Sequence, residues 1–144
     1  MAIQFYRERD APYGCFSNFS RHGFEVDGAH WPTVEHYFQA MKFAASSDQD
    51  AVRLAPDPMT AKNRGNDHTR PLRPDWDAVK DDVMRRAVQA KFEQNDDIRA
   101  VLLGTGDAEL VETALNDSYW GSGKDGTGRN QLGKTLMEVR DALR

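Results

Sequence analysis

The densest apolar run is Trp31-Pro32-Thr33-Val34-Glu35-His36-Tyr37-Phe38-Gln39-Ala40-Met41-Lys42-Phe43, and it lacks the two-faced pattern of a surface helix. Thr33 can cap a helix start with Pro32 just outside it, and no glycine or proline interrupts the run from Val34 to Phe43. Tyr37, Phe38, Met41 and Phe43 surround most of that helix, which predicts burial. The polar exceptions, Glu35, Gln39 and Lys42, are spaced i, i+4, i+7 and are expected to share one face.

The rest of the chain is organised about this segment. Residues 3–6 read as a short strand. Phe24-Glu25-Val26 and Ala29-His30-Trp31 alternate on either side of Asp27-Gly28, a two-residue hairpin signal. A helix capped by Ser46 or Ser47 runs to about Ala55, where Pro56-Asp57-Pro58 stops it, and residues 59–63 form a further turn closed by Gly65. Asp75 caps a long helix ending near Phe92, with Trp76, Val79, Val83, Ala87 and Ala90 as its inward stripe. Another helix starts at Asn95 or Asp96 and runs to Leu103, closed by Gly104. Residues 109–114 fit either strand or helix and are read as a strand, and residues 116–130 as a loop. A last helix over 131–143 points Leu132, Leu136, Val139 and Leu143 inward. The expected architecture is α+β: a single compact domain over 1–144, mainly helical, with a small antiparallel sheet.

Composition narrows the class. In 144 residues, 39% hydrophobic and 29% charged content match an ordinary globular domain. A net charge of −4 and a pI of about 5.5 exclude a global basic field for nucleic acid, though not a local patch. No stretch has the apolar length of a membrane span, and Met1-Ala2-Ile3-Gln4 lacks the basic-then-apolar start of a secretion signal. The lone Cys15 excludes an internal disulfide and fits a cytoplasmic protein.

Several groups carry candidate chemistry. Glu35 lies in a first helical turn, where the helix dipole favours a carboxylate, and Lys42, if desolvated, could lose its proton and act as an amine nucleophile. The bland alternative is a buried Glu–Lys pair. Ser17 and Asn18, bracketed by Phe16 and Phe19, are expected to point outward as hydrogen-bonding groups. Residues 128–135 satisfy the P-loop expression G-x-x-x-x-G-K-[ST], but they follow a glycine-rich loop rather than a buried strand, and the NTPase reading is rejected. Gly121, Gly123, Gly126 and Gly128, with Asn130 capping the next helix, could instead present free amides to a phosphate; a plain surface turn is the alternative. Just upstream, Asp117 could hold a ribose hydroxyl while Tyr119 or Trp120, before Gly121, stacks on a base; equally, Trp120 could simply be core. No metal site is expected, because His22, His30, His36 and His68 are dispersed.

Together these segments resemble the YbiA-like NADAR family from Phe5 to Arg140. The resemblance rests on Phe16-Ser17-Asn18-Phe19, the run from Thr33 to Phe43, Asp75-Trp76-Asp77, Met84, Lys91-Phe92 and Leu110-Val111-Glu112. It continues through Asp117, Trp120-Gly121, Gly128-Arg129-Asn130-Gln131-Leu132-Gly133-Lys134 and Leu136-Met137-Glu138-Val139-Arg140. One departure is Gly65-Asn66, where the resemblance leads one to expect Gly-Arg, so the resemblance does not carry over a basic contact from that loop. The resemblance implies a YbiA-like fold and a cofactor-free, metal-free N-glycosidase. Its substrate would be a nucleotide-like small molecule, a phosphoribosylamino-pyrimidine intermediate of riboflavin synthesis, or ADP-ribosylated guanine in nucleic acid. The catalytic residues would be Glu35, Lys42 and Asp117, with substrate held by Ser17, Asn18, Gln39, Tyr119, Trp120, Gly121, Gly128 and Asn130. Two rivals remain: a nucleotide- or ADP-ribose-binding module without turnover, and a structural interaction protein without nucleotide affinity.

Overall fold

A computed structural model describes residues 2–144, which fold as two compact units: residues up to Ser20 with Phe92–Arg144, and Arg21–Lys91. In chain order the elements are β1 (Ala2–Phe5), a 3-10 turn (Tyr13–Phe16), β2 (Phe24–Val26), β3 (Ala29–Trp31), α1 (Val34–Ala40), α2 (Ser46–Arg53) and α3 (Pro58–Gly65). They continue with α4 (Trp76–Gln94), α5 (Asp96–Gly104), β4 (Glu109–Glu112) and α6 (Gln131–Leu143). The mainly helical α+β architecture is as expected. No helix is long and apolar enough to cross a membrane among the described residues.

The Arg21–Lys91 unit is built on α1. Its hairpin pairs Phe24 with Trp31 and Val26 with Ala29, and Asp27 and Gly28 take positive φ values of 53° and 81°, the turn that their dipeptide favours. Every residue of α1 is buried, as its all-round apolar pattern predicts. Trp31 meets Tyr37 edge-on at 5.0 Å, and Trp76 of α4 meets Phe38 at 5.0 Å; such pairs add roughly 0.5–1.5 kcal/mol beyond area burial. Both α2 and α3 pack on α1. The Pro56-Asp57-Pro58 segment does more than stop a helix. Asp57 accepts a bond from Thr60 N at 2.7 Å and Pro58 sits in the first turn, so the same residues start α3.

The other unit joins β1 and β4 in parallel, Ile3 opposite Leu110, so of the two separate strand pairs only β2–β3 is antiparallel as expected. Leu110 is buried beneath α6, and at Gly133 a side chain would strike the Leu110 carbonyl. Only glycine lets α6 approach β4 this closely. Phe16 packs against Phe5, Tyr13 and Phe92 with ring centroids 5.6–6.0 Å apart. The inward face of α4 is rotated from the expected stripe. Met84, Ala87, Val88, Lys91 and Phe92 are buried, whereas Trp76, Val79, Val83 and Ala90 are not fully so.

Candidate functional site

In the Arg21–Lys91 unit the expected polar line is assembled, but not on one helix. Thr33 caps α1, its hydroxyl accepting from His36 N at 3.1 Å. The helix then ends at Ala40, and Lys42 lies beyond it. Lys42 N and Phe43 N close onto the Gln39 and Ala40 carbonyls, three residues back, while Lys42 O accepts from Arg73 N at 2.8 Å and Phe43 bridges Leu72. This tertiary bridge terminates a helix that local propensity would extend, so the i+7 placement of Lys42 is corrected.

Glu35 and Gln39 do share a face. Gln39 Nε2 donates to Glu35 Oε2 at 2.7 Å, and both residues are buried. With its nitrogen turned to the carboxylate, Gln39 buries Oε1 without a hydrogen-bond partner among the described residues, against the Cα of Gly65. Lys42 Nζ donates to Asn66 Oδ1 at 3.1 Å. Burial lowers the proton affinity of its amine below the ordinary 10.5; the Glu35 carboxylate opposes that effect, and Lys62 adds to it. The arrangement therefore holds an amine with reduced proton affinity within the field of a buried carboxylate, a pairing suited to nucleophilic and proton-transfer chemistry. Nothing in the sequence pattern singled out Asn66; the only signal was its departure from the Gly-Arg of the resemblance.

His36 has a different role. Its Nε2 lies 3.0 Å from the Ala55 carbonyl, which can only accept, so Nε2 carries the proton and Nδ1 accepts from the Thr33 hydroxyl at 2.8 Å. Desolvation lowers its pKa below 6.5, keeping the ring neutral. It joins α1 to the end of α2 as a structural group.

The remaining expected residues lie in the other unit. Ser17 is buried rather than outward, its hydroxyl accepting from Phe19 N at 3.2 Å, while Asn18 is half-buried. Asp117 Oδ1 accepts from the amides of Tyr119 and Trp120 at 3.0 and 2.9 Å, so the carboxylate braces the loop that presents those rings. Tyr119 and Trp120 meet edge-to-face at 4.9 Å, and Arg129 covers the Tyr119 ring at 4.8 Å.

The phosphate cradle expected at the start of α6 is not open. Asn130, Gln131 and Leu132 donate their amides to the carbonyls of Gly121, Tyr119 and Trp120, each at 3.0 Å, and Gly128 N donates to Ser122 O at 2.6 Å. Asn130 occupies the left-handed region (φ 51°) and does not cap α6 with its side chain. Its carboxamide instead accepts from Glu112 N at 3.0 Å and donates to Leu110 O at 2.8 Å, extending the edge of β4. Gly121 and Gly128 serve close packing, since a Cβ at Gly128 would sit 2.6 Å from the Ser122 carbonyl carbon. Gly133 and Lys134 lie within α6, away from any strand-to-helix turn, consistent with rejecting a P-loop. A separate cavity of about 220 Å³, lined by Tyr6, Arg7, Asp10, Tyr13 and Thr113 among others, contains none of the expected site residues.

Comparison with known proteins places these features in context. The family model described as NADAR domain matches residues 4–144. The N-glycosidase YbiA of Escherichia coli K12 is 50% identical over 141 residues, covering 98% of this chain and 88% of that protein. The N-glycosidase Npun_R5314 of Nostoc punctiforme is 51% identical over 147 residues, covering 100% of this chain and 94% of that protein. A riboflavin biosynthesis protein of Vibrio vulnificus, VVA0006, is 42% identical over 98% of this chain, which spans 38% of that longer protein. Among solved structures, the NMR structure of E. coli YbiA superposes with a TM-score of 0.91 at 49% identity, covering 99% of this chain and 84% of that one.

Proposed function

This chain belongs to the NADAR family, and from that premise we propose that it is an N-glycosidase in which Lys42 supplies the reacting amine and Glu35 the proton transfers. The observation that carries the reading is the half-buried Lys42, its proton affinity lowered by desolvation, in the field of a carboxylate that Gln39 holds in place. The names of the E. coli and Nostoc relatives support N-glycosyl cleavage. The riboflavin-biosynthesis relative favours a phosphoribosylamino-pyrimidine as the substrate.

The chemistry follows from the substrate bond. A glycosylamine opens as the ring oxygen leaves the ribosyl carbon with its electron pair and takes a proton relayed by Glu35, giving a protonated imine to which the neutral Lys42 amine adds. The base then leaves as its free amine, taking a proton relayed by Glu35, and a lysine imine remains. Water adds to that carbon, supplies the oxygen of the released sugar aldehyde, and returns Lys42 as an amine.

The test is to incubate the purified protein with a phosphoribosylamino-pyrimidine and, separately, with ADP-ribosylated guanine, following sugar release by mass spectrometry. Release of ribose 5-phosphate from the first supports the reading. Release only of ADP-ribose from the second moves the substrate to modified guanine, and tight binding with no release would make the protein a binding module. Glu35→Gln should lose at least the ~100-fold typical of a missing general acid–base. Lys42→Ala should abolish the borohydride-trapped adduct. Full activity in both variants would refute the assignment.

A further inference from the structure

We propose that Asn66 is the positioning residue for Lys42, its carboxamide oxygen fixing the direction and the proton affinity of the amine through the 3.1 Å bond from Nζ. The catalytic part of this inference rests on the reading of Lys42 as the reacting group; the coupling between the two side chains does not. Both backbones are anchored. Asn66 is the C-cap of α3, its amide donating to Lys62 O at 3.1 Å, and Gly65 before it is packed on Gln39. Lys42 is tied by its own carbonyl to Arg73 N at 2.8 Å. A lysine has four rotatable side-chain bonds, and anchoring the tip as well as the root removes most of that freedom.

The choice of a carboxamide has a chemical consequence. A neutral amine donating one N–H to Asn66 has its lone pair directed elsewhere, which leaves it available for attack. The surrounding charges come from several elements. Glu35 on α1 favours the ammonium form and Lys62 on α3 disfavours it. Other cations of this unit are held by partners of their own: Arg73 by Asp75 at 2.7 Å, Arg70 by Asp48 at 2.8 Å, and Arg64 by the Ala51 carbonyl at 2.8 Å. Into this balance Asn66 brings an acceptor without a charge. An arginine there would place a second cation beside Lys42 and offer it no acceptor. An aspartate would accept the bond but act as a counter-ion, keeping the amine protonated. Asparagine fixes geometry and, as a neutral acceptor, adds no charge of its own to the balance between Glu35 and Lys62.

The experiment is an NMR titration of the Lys42 side chain, with isotope-labelled lysine, in the wild type, Asn66→Asp and Asn66→Ala, alongside the pH dependence of kcat/KM. Because Asn66 is exposed, both variants should fold. Asn66→Asp should raise the Lys42 titration by about one pH unit or more, as a new opposite charge at contact distance does. The acidic limb of kcat/KM should move with it, giving a loss of about tenfold at neutral pH that alkaline pH recovers. Asn66→Ala should lower the Lys42 titration and lower kcat without that recovery. An unchanged Lys42 titration in both variants would overturn the inference. If the titration moves as expected while Lys42→Ala keeps full activity, the coupling stands and the proposed role of Lys42 in catalysis falls instead.

Discussion

A pair of glycine substitutions isolates the packing that holds Gln39 against Glu35. Gly65 and Gly104 are each the last residue of a helix, α3 and α5, and neither has a positive φ. Replacing either with alanine should therefore gain about 0.4–1 kcal/mol from the less flexible unfolded chain. Their surroundings differ completely. A Cβ at Gly104 meets nothing within 4 Å, whereas at Gly65 it would overlap Gln39 Oε1 and stand 2.6 and 2.8 Å from its Cβ and Cδ. The obstacle includes Gln39 Cβ, which is fixed to α1, so rotating the amide away does not clear it. Overpacking of this kind costs typically about 1–3 kcal/mol. Displacing Gln39 also breaks its 2.7 Å bond to Glu35, and a hydrogen bond to a charged group contributes about 1.5–3 kcal/mol. The costs outweigh the gain, and Gly65→Ala should be destabilised by about 1–4 kcal/mol, while Gly104→Ala is unchanged or slightly stabilised. Urea unfolding of the two variants measures this directly, and the kcat of Gly65→Ala should fall as well. Equal stability of the two would refute the claim that Gly65 is the wall against which Gln39 is set.

Other outcomes rest on the same geometry. Asn130→Ala leaves Leu110 O and Glu112 N without their side-chain partner and puts alanine at φ 51°, so a loss of about 2–4 kcal/mol is expected by urea unfolding. His36 is held neutral, with a pKa below 6.5, so its contribution to stability is full above that pH and is lost as pH falls towards the folded-state value. The urea midpoint should drop below pH 6.5 with a slope that His36→Gln reduces. The folded state disfavours the Lys42 ammonium, a penalty absent only above the ordinary 10.5, so Lys42→Met should raise the urea midpoint at pH 7 while removing all adduct formation. An unchanged or lowered midpoint would show that the ammonium is well solvated.

What could be read from the sequence was local. The hairpin arises from Asp27-Gly28, because adjacent positive φ values are what that dipeptide tolerates. The α5 helix was legible from its asparagine start and glycine end, and the burial of α1 from aromatics on all sides. The misreadings are long-range. Phe43 leaves α1 to bridge Leu72, a contact that no window around Phe43 contains. The parallel pairing of β1 with β4 joins Ala2 to Glu109, and the side chain of Asn130 abandons α6 for β4. In the glycine-rich loop the residue types were suited to an anion, yet the loop's own carbonyls claim those amides first. Such competition cannot be judged from composition, because donors and acceptors of one loop meet only once it has closed.

The same early end to α1 shapes the chemistry. Had the helix continued to Phe43, Lys42 would project from it two turns beyond Glu35, roughly 10 Å along the axis at 1.5 Å per residue. Stopping at Ala40 places Lys42 in a turn whose carbonyl is held by Arg73, and its amine is met by the end of α3. One dipeptide then serves both polar partners of Glu35. Gly65 is the surface against which Gln39 is set, and Asn66, the next residue, receives Lys42. Their Cα atoms are only about 3.8 Å apart across the peptide bond. A shift of the α3 terminus large enough to free Gln39 must therefore also displace the acceptor of Lys42. The carboxylate's support and the amine's direction are in this way mechanically linked, and damage at Gly65 should appear in the titration of Lys42 as well as in stability.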